Sequence, residues 1–137
     1  MLIRLALAAF LLAHAAIHVA FLAPAPPATA DGPTWPFATT SSWLLSRLGI
    51  TPEVAHLVAT ALVAVTIGGF ALAALSALGI LPASMWVPAI AVGAASSFGL
   101  LLAFFHPWLV LGIGIDLVLV WATLVAGWAP VSTAPKV

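Results

Sequence analysis

From Leu5 to Ala23 the chain carries no Asp, Glu, Lys or Arg, and three further predominantly apolar stretches follow it. Such runs dictate the solvent. A helix needs about 20 apolar residues to cross the hydrocarbon of a bilayer, and this chain has the material for four. Of its 137 residues 65% are hydrophobic and 4% charged, with a mean hydropathy of +1.31, whereas a soluble domain carries roughly 25% charged residues. The sequence therefore predicts an all-α integral membrane protein, a single membrane domain over residues 1–137 built as a four-transmembrane-helix bundle in the lipid bilayer.

The boundaries follow from local chemistry. The first helix covers residues 2–23 and ends at Pro24, Pro26 and Pro27; the second covers 52–80 and ends at Leu81-Pro82; the third and fourth cover 86–105 and 107–128. His106-Pro107 is the natural break between the last two, because proline disfavours helical geometry in the residue before it. The second helix is marked at its start: Thr51 as N-cap, Pro52 at the first helical position and Glu53 at the positive end of the dipole. The outer loop, residues 24–51, holds a short interfacial helix, which Ser41 or Ser42 caps and Gly49 ends. Its Trp43 suits the headgroup boundary, and Trp35, Trp86, Trp108 and Trp128 fall at helix ends or in the loop, as interfacial anchors do.

Three basic and three acidic side chains leave no net charge, hence no electrostatic footprint for nucleic acid or for anionic lipid. There is no cysteine, which removes disulfides, thiolate ligands and thiol redox chemistry. No G-x-S-x-G elbow, Ser-x-x-Lys pair or glycine-rich phosphate loop occurs, so nothing marks a stand-alone enzyme. Arg4 at the start of the first helix and Lys136 after the fourth, against Arg47 in the long loop, favour cytoplasmic N- and C-termini and an outward loop. Arg4, the apolar run and Ala28-Thr29-Ala30 imitate a cleaved secretory signal. The run is longer than the usual core of roughly 7–15 residues and bears two histidines, so residues 1–30 are expected to be retained.

His14 and His18 are four apart and share one helix face. Counting ~1.5 Å per residue and ~15 Å for half the hydrocarbon puts His14 ~2 Å and His18 ~8 Å to the outer side of the midplane. The same count gives ~9 Å for His56 and ~1–2 Å for Asp116. His14 and Asp116 thus share a central level, and His18 and His56 a level one turn higher. His106 lies at the boundary, where a polar cap is the plainer reading. A carboxylate near the midplane costs about 2.5–3.5 kcal/mol unless it is paired or protonated, so Asp116 is expected to meet His14.

Several chemistries use such a set. His14, His18 and Asp116, with His56 as a fourth, are the N and O ligands of zinc or non-haem iron, although Ala15 after His14 excludes the HExxH pattern. His18 and His56, at one depth, suit bis-histidine haem b. A proton or quinone site, with His and Asp relaying protons, is a third reading. The leading expectation is transition-metal or haem binding in a redox or transport-related role. Its alternative is an accessory or structural subunit, docking on a membrane-protein partner or a second copy through Gly68, Gly69, Gly93, Ser96, Ser97, Gly112 and Gly114. The same small residues also suit packing within the bundle.

Residues 4–18, RLALAAFLLAHAAIH, resemble the first helix of the DoxX-like group of small bacterial four-helix membrane proteins, and length and span number agree. Where that group commonly has a glycine and a lysine after the first histidine, this chain has Ala15 and His18, so no functional residue is carried over. The resemblance implies a bacterial inner-membrane protein working with a redox partner.

Orientation is directly testable because the chain has no native cysteine. A cysteine placed at Thr34 is expected to react with a membrane-impermeant maleimide added outside intact cells. Labelling only after the cells are opened would invert the topology.

Overall fold

In the computed structural model, residues 1–27 and 34–130 are described. The cleavage-like Ala28-Thr29-Ala30 and the C-terminal Lys136 lie outside them. Helix α1 (Leu2–Ile17) runs on into a 3₁₀ turn at His18–Leu22, and α2 (Trp43–Arg47) is the short helix of the long connection. Helix α3 spans Pro52–Leu78. Helix α4 (Trp86–Ala103) follows a 3₁₀ turn at Ala83–Met85. Helix α5 (Val110–Val120) follows another at Pro107–Leu109 and continues as a π-helical turn, Trp121–Val125. Among the described residues four segments are long and apolar enough to cross a membrane: Leu2–Leu22, Pro52–Leu78, Ala83–Ala103 and Pro107–Val125. Among the described residues there is no strand; the protein is an all-helical, multi-pass bundle.

Helix ends fall where the backbone chemistry requires. At the end of α1, Ala23 is extended, as a residue before proline prefers. Helix α3 stops at Leu78, short of the expected residue 80, because Gly79 adopts φ 78° and the Ile80 N–H returns to the Leu75 carbonyl at 3.0 Å. That is the left-handed closure for which glycine is suited. The same glycine leaves room for Arg4, whose Nε donates to the Ala77 carbonyl at 2.6 Å. Arg4 therefore places a cation at the negative end of the α3 dipole, a role that its place in the first turn of α1 does not reveal. The fourth span ends at Val125 rather than 128, and Gly127 follows with φ 65°. In α2, Ser42 is the cap, accepting from the Leu45 N–H at 3.0 Å, and Gly49 turns the chain with φ 72°.

Helix α3 packs against α1 on one side and α4 on the other, and α4 packs against α5; α1 and α5 do not lie backbone to backbone. Close approach is set by small residues. Ala59, Ala73, Ala77 and Ala94 are fully buried, and Gly69 of α3 faces Gly93 of α4 so closely that a Cβ on Gly69 would lie 2.5 Å from the Gly93 Cα. In lipid, where apolar burial does not drive helices together, such contacts supply the association. The outward faces remain apolar, with Leu57, Leu111 and Val118 exposed. One tryptophan departs from its expected place. Trp86 is only 1% exposed, and its Nε1 donates to the Trp128 carbonyl at 3.2 Å; the end of the fourth span folds over it, so it is a core residue rather than an anchor.

The α3–α4 contact yields a controlled comparison. Gly69→Ala is expected to destabilise the bundle by ~1–3 kcal/mol, the usual cost of overpacking. Gly68→Ala, where a Cβ meets nothing within 4 Å, should be neutral or slightly stabilising because alanine is the better helix former. Denaturant unfolding of the protein in mixed micelles reads both.

Candidate functional site

The polar residues of α1, α4 and α5 converge in the interior between the helices. His14 is 5% exposed, His18 2%, Asp116 1% and Ser97 not at all. His14 Nε2 lies 3.0 Å from Asp116 Oδ1. The other carboxylate oxygen, Oδ2, lies 2.6 Å from Ser97 Oγ, and Ser97 Oγ lies 2.8 Å from His18 Nε2. The chain of contacts ends where His18 Nδ1 donates to the backbone carbonyl of His14 at 2.9 Å.

Local structure explains the geometry. Helix α1 tightens at His18, whose backbone N–H turns to the Ala15 carbonyl, three residues back. This leaves the His14 carbonyl to accept from the His18 ring. The His14 ring is fixed by edge contacts to Phe70 of α3 at 5.1 Å and to His18 at 5.2 Å. On α5, Gly112 keeps the approach open. A Cβ there would stand 2.8 Å from Leu101 Cδ1, with the His14 ring just beyond it at 4.0 Å from Cε1, so glycine at this turn leaves room for the Leu101 side chain beside the ring.

The depth count expects Asp116 to meet His14, and the two are in direct contact. His18 joins the same cluster. His56 does not: it is exposed, and its Nδ1 pairs with Thr39 Oγ1 at 2.8 Å. The facing pair of His18 and His56 that bis-histidine haem requires is therefore not assembled, because shared depth does not set the rotation of a helix about its axis. His106 caps the 3₁₀ turn before α5, its Nδ1 accepting from the Trp108 N–H at 3.3 Å, and its Nε2 lies 3.0 Å from Thr34 Oγ1. Among the described residues no group of three or more His, Cys, Asp or Glu is arranged to hold a metal ion. The reason is visible in the bonds: His14 Nε2 and both nitrogens of His18 face protein oxygens rather than a common point.

Ser97 is the member that residue-by-residue reading misses, since serine in an apolar helix reads as a small packing residue. Its depth was the available signal. Counted inward from Phe105 it lies ~3 Å from the midplane, the level of Asp116 and His14. No family model, no curated protein and no solved structure matches the chain, so the site stands on its own geometry.

Removing either member of a buried hydrogen-bonded pair strands the other, at a cost of ~1–3 kcal/mol. His14→Ala and Asp116→Ala are each expected to destabilise the bundle by about that amount. The double variant should lose less than the sum, with a coupling of ~0.5–2 kcal/mol. Strict additivity in unfolding experiments would deny the contact.

Proposed function

We propose that this polytopic membrane protein holds and relays a proton within the bilayer, along the chain His14, Asp116, Ser97 and His18. The observation that carries the reading is the Ser97 hydroxyl, within hydrogen-bond distance of both Asp116 Oδ2 and His18 Nε2.

The proton count supports it. Each of the four contacts holds one hydrogen. With His14 donating through Nε2, His18 neutral and Asp116 ionised, the two rings and the serine supply only three. One more proton completes the network. If it sits on His18, both ring nitrogens donate and Ser97 donates to an ionised Asp116. If it sits on Asp116, the carboxyl donates to Ser97, Ser97 donates to His18 Nε2, and His18 Nδ1 still donates to the His14 carbonyl. The two forms interconvert by two short hops through the serine oxygen. Both are neutral overall, which a low-dielectric interior requires of buried charge.

Zinc, iron or haem b would need His14 and His18 to give up these bonds and turn toward a shared point, and His56 to leave Thr39. The relay asks for no rearrangement. The accessory-subunit reading is favoured by no contact of its own, since the Gly69–Gly93 approach is used inside the bundle. With both termini cytoplasmic, as the basic residues favour, the relay sits at and above the bilayer centre on the outer side. The likeness of residues 4–18 to the DoxX-like group accords with such a role in a bacterial inner membrane.

Ser97→Ala tests this, removing the bridge while leaving the acid and both bases. In the parent protein, the Asp116 carboxyl band and the His18 ring bands in infrared difference spectra should respond to pH with one shared midpoint. The variant should give two independent ones. A shared midpoint that survives the substitution rejects the relay, and a Soret band or stoichiometric zinc or iron in the purified protein returns the metal or haem reading to the front.

A further inference from the structure

Helices α1 and α5, joined through His14 and Asp116 but not packed backbone to backbone, leave between them a cavity of about 180 Å³. Its walls include Phe21, Phe37, Leu101, Trp108 and Ile115, and the His14 and His18 rings line it as well. The mouth is bordered by Ile17, Trp108 and Leu111, all exposed on the outside of the bundle, so it opens sideways toward lipid. Pro36 and Phe37 of the long connection also line it. Phe37 is seated there by edge contacts to Phe21 at 5.1 Å and Trp35 at 5.3 Å.

The walls hold almost no polar atoms, and the one that is free points to the occupant. Both nitrogens of His18 are committed. His14 Nε2 is committed to Asp116, and its Nδ1 makes no hydrogen bond to the described residues. This nitrogen is not among the sealed, unpartnered polar atoms, which are those of Trp35, Thr66 and Thr123, and its ring, only 5% exposed, lines the cavity. With the His14 proton on Nε2, Nδ1 carries a lone pair. Whatever fills the cavity must offer a donor.

Size narrows the choice. A cavity of about 150 Å³ takes one benzene ring, so about 180 Å³ suits a single six-membered ring with a small substituent. Aromatic walls favour ring against ring in edge or offset contact. We infer that the cavity binds a lipid-soluble phenol: one ring held among Phe21, Phe37 and Trp108, its hydroxyl donating to His14 Nδ1, and any alkyl chain leaving through the mouth into the bilayer. This rests on the proton-relay reading only for the placement of the His14 proton. The bound hydroxyl then becomes the outermost member of the hydrogen-bonded chain.

The test uses the full chain in nanodiscs with ring-¹⁵N histidine, the His14 Nδ1 resonance being assigned by its loss in His14→Gln. Titration with p-cresol should shift that resonance saturably, after subtraction of partition into empty nanodiscs. Toluene, of the same shape without the hydroxyl, and 4-methylanisole, which accepts but cannot donate, should bind at least about tenfold more weakly, as loss of one buried hydrogen bond to a fixed acceptor implies. Gly112→Leu, which builds into the space beside Leu101 and His14, should weaken p-cresol by at least about tenfold with helix content unchanged by circular dichroism; should that variant not fold, the three probes on the parent protein decide. Toluene binding as tightly as p-cresol, tighter binding of 4-methylanisole, an unshifted His14, or full affinity in a folded Gly112→Leu protein each overturn the inference. Phenol binding without a shared Asp116 and His18 midpoint removes the relay alone. A shared midpoint without phenol binding removes the ligand alone.

Discussion

A carboxylate carried to the middle of a bilayer must be answered by protein, because neither water nor a counter-ion is at hand. Asp116 is answered twice, once at each oxygen, by an imidazole from α1 and a hydroxyl from α4. That requirement ties three of the four spans together at one level. It also strengthens a pairing that close backbone contact does not supply: α1 and α5 do not pack backbone to backbone, and the polar bridge joins them beside the apolar contacts that Leu11 and Leu119 share. The fourth long helix, α3, contributes no member to the chain but braces it, with Phe70 edge-on to the His14 ring.

Close approach elsewhere makes this possible. Gly69 against Gly93 brings α3 and α4 together, which fixes where Ser97, one helical turn beyond Gly93, is presented. Gly112 does the same for α5, making room for Leu101 of α4 one turn before Asp116. Small residues thus act twice in this chain, as the source of helix association in lipid and as the device that sets the reach of four polar side chains. A side chain of even one carbon at Gly69 forces backbone against backbone and shifts the network with it.

Much of this was legible in the sequence, and the limit is physical. Length and proline punctuation mark the spans, since a helix must cross the hydrocarbon and proline ends it. Depth is a count, so the meeting of His14 and Asp116 could be expected from residue numbers. Rotation about the helix axis is not a count. It is ordinarily read from an amphipathic stripe, and helices apolar on every face carry none. His56 is expected at the level of His18 by the count and yet belongs to the Thr39 contact at the loop end. Trp86 sits at a helix end, as anchors do, but only the returning chain at Trp128 reveals that it is covered. Ser97 was hidden for a different reason: a serine hydroxyl costs little in a helix, so its presence at the level of a carboxylate raises no alarm.

The arrangement of the network argues against helix glue as its sole purpose. A single His–Asp contact already joins α1 to α5, and polar contacts between membrane helices usually contribute under ~2 kcal/mol. The additional members add little to that association. Ser97 lies on a helix that α5 already packs against, and His18 lies on the helix that already supplies His14. What they add is a second proton site, connected to the first through a hydroxyl that both accepts and donates. His14, meanwhile, keeps one nitrogen without a hydrogen-bond partner among the described residues, on a ring that lines a cavity between the helices. A contact evolved only to hold helices would be sealed on all sides and would need two groups. Here four groups form a chain, each hydrogen-bonded to the next, whose two imidazoles both line the same cavity, an arrangement that suits the proposed movement of a proton better than the fixing of a helix alone.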